Sequence, residues 1–359
     1  MATLLRYEIE HYVTSIREND HHARFTVRRN GKVFYIEISP SNFVNSPVMT
    51  NKYLSYLEVL KSGREELDDI YDTDVYEWLM PPFEPFFAEL APSPAGDPLK
   101  VRVTLKEYLF PEFFCFSLDI LDEKLRPRFI PTTESPYRPS FVRFDDDLHD
   151  DLEKWTALYD PAGIILSDNN STDALFKSPK KVLIDNEQTE CFFKPCYSSV
   201  QAIQELEAYK KIHAAGLNLD SQFNLCHLYG IVIDDCDFIL GLLLTYVDCG
   251  GRPLSTRVHP DEHDDPPAAM RRDWIDQLEA TLAALHKNDI IWGDVKAENV
   301  LIDTNNNAWM IDFGGGYTEG WVAKDVAGTV AGDWAGMAEL KKLLLPLKRI
   351  DDEYQRLER

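Results

Sequence analysis

The sequence has few basic residues for its length and no long run of apolar residues. It carries 37 Lys and Arg against 61 Asp and Glu, which gives a formal net charge of -24. A surface this negative repels phosphate backbones and anionic lipid headgroups, so we expect neither a nucleic-acid nor a membrane partner. The longest apolar run, residues 238–247, is too short to span a bilayer.

Cysteine is also scarce, and no signal peptide is visible. Six cysteines among 359 residues are far fewer than a disulfide scaffold contains, which predicts thiols in a reducing compartment. Residues 1–13 lack the charged and apolar regions of a secretory signal. We therefore expect an intracellular, cytoplasmic protein.

The chain is long enough for two domains with substantial cores. A stretch rich in proline and serine, residues 131–140, precedes an acidic run at 145–151. We place a domain boundary in this region, which predicts an N-terminal mixed α/β domain over residues 1–150 and a second domain over 151–359.

Local patterns predict several elements of the first domain. Alternating apolar residues on both sides of Asn30-Gly31 predict a hairpin over residues 24–39. Helical spacing of apolar residues predicts a helix over 51–61. The alternation of Val101, Val103 and Leu105 predicts a strand.

The second domain alternates between short apolar runs and longer helical patterns. We predict strands at residues 182–184, 191–193, 229–233 and 238–247, helices at 199–214, 266–286 and 333–345, and two short strands flanking residues 303–307.

The sharpest chemical signal is a set of polar residues near the C-terminus. Asp294 is followed by Lys296, Asn299 and, eighteen residues after the aspartate, by Asp312-Phe313-Gly314. A carboxylate beside an ammonium suits phosphoryl transfer, because one group takes a hydroxyl proton and the other neutralises the moving phosphoryl group. Asparagine and a second aspartate offer the hard oxygen ligands that Mg²⁺ prefers.

This arrangement resembles the catalytic and metal-binding loops of the protein-kinase superfamily, H-R-D-L-K-x-x-N and D-F-G. The resemblance extends upstream, where Lys194 is similar to the ATP-binding lysine and Glu205 to the glutamate that pairs with it. We choose Glu205 over Glu207 because the apolar residues after it fit the family's helix. The stretch 243–247 resembles the hinge, which implies that backbone groups of Thr245 and Val247 meet adenine.

The resemblance implies an α+β, two-lobed protein-kinase-like fold with a truncated C-lobe, preceded by the additional N-terminal domain. The N-lobe would span about 160–247 and the C-lobe about 248–359. ATP and Mg²⁺ are the implied cofactors. Asn299 and Asp312 would hold the metal, while Asp294 and Lys296 would be catalytic.

Several residues depart from the kinase motifs, and these departures narrow the expected class of acceptor. Trp292 and Gly293 replace the motif's histidine and arginine, residues 167–181 contain no glycine, and no A-P-E follows Gly314. Asp333 is similar to the aspartate that opens the helix under the catalytic loop. These features resemble divergent kinase-like proteins of filamentous fungi and, in part, aminoglycoside and choline phosphotransferases. With little chain left for a peptide platform, we expect a small hydroxylated acceptor rather than a protein.

Other interpretations stay open at this point. A pseudokinase that binds nucleotide without transfer is favoured by the missing glycine loop, and the same site could transfer AMP. Without their spacing, Asp294 and Asp312 would be interpreted as two surface acids. Cys191 and Cys196 are interpreted as buried thiols, because no second pair stands at zinc spacing. His259 and His263 are interpreted as part of a solvated loop.

Overall fold

The computed structural model describes residues 7–15, 17, 19–62, 66–93, 102–135, 142, 146–167, 181–196, 198–220, 222–250, 253–258, 266–316 and 318–345. The chain divides into two compact units. The first contains Met1–Pro139 and Pro161–Thr189, and the second contains Ser140–Asp160 and Glu190–Arg359. Each unit therefore consists of two separate segments of the sequence, whereas the predicted division at residue 150 gives each domain one continuous segment. That division stays a prediction about which segments fold independently.

The described chain contains both strands and helices. In chain order they are β1 (Glu8–Thr14), β2 (Ala23–Arg29), β3 (Lys32–Val44), α1 (Pro47–Ser62), β4 (Glu66–Leu67), β5 (Ile70–Tyr71), α2 (Asp72–Leu79), α3 (Glu84–Leu90), α4 (Leu105–Leu109), β6 (Phe113–Leu121), β7 (Lys124–Ile130), α5 (Asp146–Leu152), β8 (Ala157–Tyr159), β9 (Ile165–Leu166), β10 (Val182–Ile184), β11 (Thr189–Pro195), α6 (Ser199–Ala214), β12 (Leu228–Ile233), β13 (Ile239–Thr245), α7 (Ala268–Lys287), β14 (Val300–Ile302), β15 (Ala308–Met310) and α8 (Val330–Leu344).

The first unit is built on a five-stranded sheet in the order β1-β2-β3-β6-β7. Strands β3 and β6 are parallel, and the other neighbours are antiparallel. The predicted hairpin is confirmed: Asn30 and Gly31 both adopt left-handed backbone angles, with φ of 47° and 76°, in the turn between β2 and β3. Phe34, Phe116 and Leu118 are fully buried in a core shared with helices α1 to α3.

The ends of two helices in this unit have clear chemical causes. The predicted helix at 51–61 lies within α1, whose first turn is capped when the Glu123 carboxylate accepts hydrogen bonds from the amides of Val48 and Met49 at 3.0 and 2.9 Å. The predicted strand at 101–105 is wrong in its described part. Thr104 and Glu107 form a capping box that begins α4 at Leu105, and this local signal outweighs the apolar alternation. Val101 lies outside the described residues.

In the second unit, four strands lie side by side in the order β8-β12-β13-β11. Strands β12, β13 and β11 pair in antiparallel fashion, while β8 runs parallel to β12. Glycine permits two close contacts in this sheet, because an added Cβ would lie 2.4 Å from the Tyr159 ring at Gly230 and 2.5 Å from the Phe193 ring at Gly241. The predicted strands in this unit and the helix α6 are confirmed.

Helices α7 and α8 and the pair β14–β15 enclose the main core of the second unit. The predicted apolar stripe of α7 is confirmed, with Trp274, Leu278, Leu282 and Leu285 all fully buried. Helix α8 approaches the loop after α7 closely, since a Cβ on Gly336 would lie 2.6 Å from the Val295 Cβ. This contact fixes the polar loop at 292–299 against a rigid helix.

Two further observations concern the chain as a whole. Among the described residues, none of the helices has both the length and the apolar character needed to cross a membrane. All six cysteines are free thiols.

Candidate active site

The Lys194 side chain connects two carboxylates in the second unit. Lys194 lies on β11, and its Nζ is 2.9 and 2.8 Å from the two carboxylate oxygens of Glu205 on α6. The same Nζ is 2.8 Å from Oδ1 of Asp312. Glu207 points to solvent, so Glu205 is the glutamate that meets Lys194.

The charge of this cluster follows from its surroundings. Burial lowers the pKa of Lys194, but the carboxylates of Glu205 and Asp312 outweigh it and raise that pKa above its ordinary value. Lys194 is therefore a permanent cation held between two acids. Burial also raises the pKa of the nearby Cys196 thiol to about 12, so this cysteine stays neutral and is a poor nucleophile.

A second ion pair lies in the loop that follows α7. Lys296 Nζ is 2.6 Å from Oδ2 of Asp294. The Thr318 hydroxyl donates to Oδ1 of Asp294 at 3.0 Å and accepts from Lys296 Nζ at 3.0 Å. Thr318 thus links the aspartate and the lysine into one hydrogen-bonded ring, which holds both side chains in a fixed orientation.

Asn299 ties this loop to the backbone and presents one oxygen. Its Nδ2 donates to the Asp294 carbonyl at 2.9 Å, which leaves Oδ1 as the remaining acceptor of the amide. Asp312 adopts a left-handed backbone conformation with φ of 62°. An amide oxygen and a carboxylate are hard oxygen donors of the kind that Mg²⁺ prefers, so Asn299 and Asp312 fit this ion by their chemistry. In the described parts of the chain, no three His, Cys, Asp or Glu side chains converge as a metal cage.

Helix α8 supports the loop through Asp333. This buried carboxylate accepts hydrogen bonds from the amides of Trp292 and Gly293 at 2.9 and 2.8 Å and contacts His286 Nε2 at 2.8 Å. Asp333 lies in the first turn of α8, which agrees with the expected aspartate at the start of a helix under the catalytic loop. Gly293 has φ of 90°, and a Cβ there would lie 3.2 Å from the Gly315 Cα. The backbone geometry therefore favours glycine at this position.

Trp292 and Phe313 connect the two polar loops. The indole nitrogen of Trp292 donates to the Ile311 carbonyl at 2.9 Å, directly before Asp312. Phe313 is buried with its ring edge-on to Tyr209 on α6, at a centroid distance of 5.6 Å. Trp292 thereby links the position of Asp312 to the Asp294 loop, and Phe313 links it to α6.

One cavity of about 350 Å³ brings most of the predicted site residues together. Its wall includes five of them: Lys194, Glu205, Asp294, Lys296 and Asp312. Asn299 lies buried behind Asp294 and is not part of the wall. Thr245 and Val247 do not line this cavity either, and the Thr245 amide donates to the His227 carbonyl at 3.0 Å. Their contact with adenine stays a prediction.

Sequence reasoning missed Thr318 and His286. The Thr318 hydroxyl reaches Asp294 from 24 residues away, and no local pattern marks such a tertiary contact. His286 sits at the end of the α7 stripe, directly after Leu285. The available sequence signal for His286 was its position, directly after a buried residue of the helix that precedes the Asp294 loop.

Comparison with known proteins agrees with this geometry. Residues 192–329 match the family model of the protein kinase domain. Over 91 residues the chain is 32% identical to the serine/threonine-protein kinase ppk34 of Schizosaccharomyces pombe. That match covers 25% of this chain and 25% of the relative, so the likeness spans a quarter of each protein.

Three observations point to the same conclusion: the order of Lys194, Glu205, Asp294 and Asp312 along the chain, their convergence on one cavity, and the family match. The resemblance predicted from the sequence is confirmed. The C-terminal half of this α+β chain carries a protein kinase domain over residues 192–329 and is a distant homologue of the protein kinases.

Proposed function

We propose that this protein is an ATP- and Mg²⁺-dependent phosphotransferase that moves the γ-phosphate of ATP to a hydroxyl acceptor. One observation carries the proposal. The cation of Lys194, paired with Glu205, faces the same cavity as the Asp294–Lys296 pair. Such a cavity offers charge for the nucleotide phosphates at one side and an acceptor for a hydroxyl proton at the other.

The residues take distinct roles in the proposed reaction. Lys194 orients the α- and β-phosphates, and Asp294 orients the acceptor hydroxyl. The hydroxyl oxygen bonds to the γ-phosphorus while the bond from that phosphorus to the β,γ-bridging oxygen breaks, and ADP leaves. Asp294 takes the hydroxyl proton, and Lys296 stabilises the charge of the transferring group.

Asp312 and Asn299 would hold Mg²⁺, which supplies neutralisation of phosphate charge when bound. The contact of 2.8 Å between Lys194 and Asp312 keeps that carboxylate facing the phosphate side of the cavity. The six free thiols fit a reducing, cytoplasmic location.

For the acceptor we propose a small hydroxylated molecule, neutral or cationic because the chain is strongly acidic. Residues 313–329, which separate Asp312 from α8, contain only turns, bends and irregular chain in their described part, and this favours an open acceptor side without a peptide platform. The name of the Schizosaccharomyces pombe relative supports the competing class, a protein serine or threonine.

Radiolabelled ATP and a size-fractionated cell extract separate the two acceptor classes. We expect label in the small-molecule fraction, with Asp294→Ala protein as the background control. Label confined to extract proteins would replace the small molecule with a protein acceptor.

Removing Lys194 is expected to weaken Mg-ATP binding, and removing Glu205 should weaken it less, since Glu205 acts by holding Lys194. Because both residues contribute to one interaction, the Lys194→Ala, Glu205→Ala double variant should bind about as weakly as Lys194→Ala alone. Isothermal titration of the three variants measures this, with the exposed Glu207→Ala as a matched control. Additive losses would show that the pair does not act as a unit.

A pseudokinase that binds nucleotide without transfer is the second candidate. It is favoured by the saturation of Asp294, whose Oδ1 accepts from Thr318 and whose Oδ2 accepts from Lys296 and Asn299. Mg-dependent thermal stabilisation by ATP, with no labelled product in the extract, would select this function. Mass spectrometry of the product separates phosphate transfer from AMP transfer.

A further inference from the structure

The segment from Ser140 to Asp160 lies outside the residues that match the protein kinase domain, yet it belongs to the same compact unit. Two contacts attach its described part to the sheet. Val142 and Ile239 exchange two backbone hydrogen bonds of 3.0 Å. Strand β8 pairs with residues 230–232 of β12.

Between these two attachments the segment contacts the outer side of α6, the helix that carries Glu205. The Trp155 ring lies against His213 at a centroid distance of 6.2 Å. Asp151 Oδ2 is 2.5 Å from Lys210 Nζ. Lys210 and His213 are three residues apart, so both contacts fall on one face of the last turns of α6.

The two contacts differ in weight. The Asp151–Lys210 pair is solvent-exposed on both sides, and such pairs contribute little. Trp155 instead packs against the main core of the unit while its ring faces His213. Because Trp155 is a large aromatic side chain that packs on the core, it limits the movement of His213, which packs on its ring. Trp155 is therefore the stronger of the two contacts that restrain α6.

We propose that Trp155 is a positioning residue, which holds α6 where Glu205 meets Lys194. Helix α6 is continuous from Ser199 to Ala214, so a shift at His213 is transmitted to Glu205. Tyr209 and Ile212, which also lie on α6, are buried in the main core of the unit. The segment before the kinase domain thereby supports the nucleotide site from outside the cavity. This inference rests on the proposed role of the Lys194–Glu205 pair in binding ATP.

Two substitutions of Trp155 test the proposal directly. The Trp155 Nε1 is buried and has no acceptor among the residues that the structure describes, so Trp155→Phe loses no hydrogen bond and should bind Mg-ATP like the wild type. Trp155→Ala should weaken binding by roughly 2- to 30-fold, the range for a residue that acts through an intervening element. His213→Ala, an exposed change on α6, should act in the same direction and decides the matter where Trp155→Ala fails to fold.

A double variant separates positioning from general destabilisation. In a Glu205→Gln background, Trp155→Ala should cause no further loss of Mg-ATP affinity, because the interaction it supports is already broken. In Trp155→Ala, hydrogen exchange should rise at the α6 amides and remain unchanged at the α8 amides, whereas general destabilisation would raise both. An equal loss of affinity in both backgrounds, or unchanged exchange in α6, would overturn the proposal.

The controls also distinguish the two levels of inference. Wild-type binding by Trp155→Ala and His213→Ala together with weak binding by Lys194→Ala would reject the positioning role and leave the proposed function standing. Undiminished Mg-ATP binding by Lys194→Ala would reject the proposed function itself.

Discussion

Asp294→Ala is expected to slow phosphoryl transfer by about 10²–10⁴-fold while leaving nucleotide affinity nearly unchanged, the usual contribution of a positioned acid–base group. Asp294 contacts Lys296 and Thr318, whereas Lys194, which would hold the phosphates, contacts Glu205 and Asp312. The substitution therefore removes the proton acceptor without removing the charges that bind ATP. Single-turnover transfer and equilibrium titration of Mg-ATP measure the two quantities separately.

A matched control comes from the same part of the chain. Asp325→Asn changes an exposed acid on the segment before α8 and should leave both quantities unchanged. A parallel loss of affinity and turnover in Asp294→Ala would show that Asp294 supports the loop rather than the reaction. The contacts from Asp333 to the amides of Trp292 and Gly293 do not involve the Asp294 side chain. The folding of Asp294→Ala can therefore be measured separately from its activity.

Asp312→Asn is expected to abolish the Mg²⁺-dependent part of ATP binding. The substitution keeps the shape of the side chain but removes the charge that a divalent cation requires. Lys194 keeps its two contacts to Glu205, so the weaker, metal-free binding of ATP should persist. Titrations of ATP at several Mg²⁺ concentrations would show a strong dependence in the wild type and a flat response in the variant.

The result has a clear opposite. Tight, metal-dependent binding by Asp312→Asn would mean that Asp312 is not a metal ligand, and that its contact with Lys194 has a purely structural purpose. Thermal unfolding without nucleotide serves as the control. Asp312 is part-exposed, so the variant should retain the wild-type midpoint.

Local signals predicted most elements and several site residues, because those signals act over a few positions. The Asn30-Gly31 turn specifies its own hairpin, because both residues accept left-handed backbone angles. Asp294, Asn299 and Asp312 were predicted from their spacing, and all three lie in the polar loops of the site. The prediction failed at Val103 and Leu105, where the capping box from Thr104 to Glu107 competed with the alternation.

The contacts that sequence reasoning could not supply are the tertiary ones. Thr318 meets Asp294 only because the chain returns to the loop after Asp312. The interleaving of the two compact units depends on which segments pack together, and no composition shift marks residues 161–189 as part of the first unit. Propensity describes short stretches of chain, whereas these features are decided by packing across it.

The conformation of Gly293 restricts which residues position 293 can accept. The kinase motif places an arginine at this position, yet in this protein the backbone is left-handed and the nearest atom to an added Cβ would be the Gly315 Cα. A side chain at 293 would be strained by this left-handed backbone and would need residue 315 to move by a few tenths of an ångström. Placing the motif's arginine at position 293 therefore requires an adjustment at residue 315 as well.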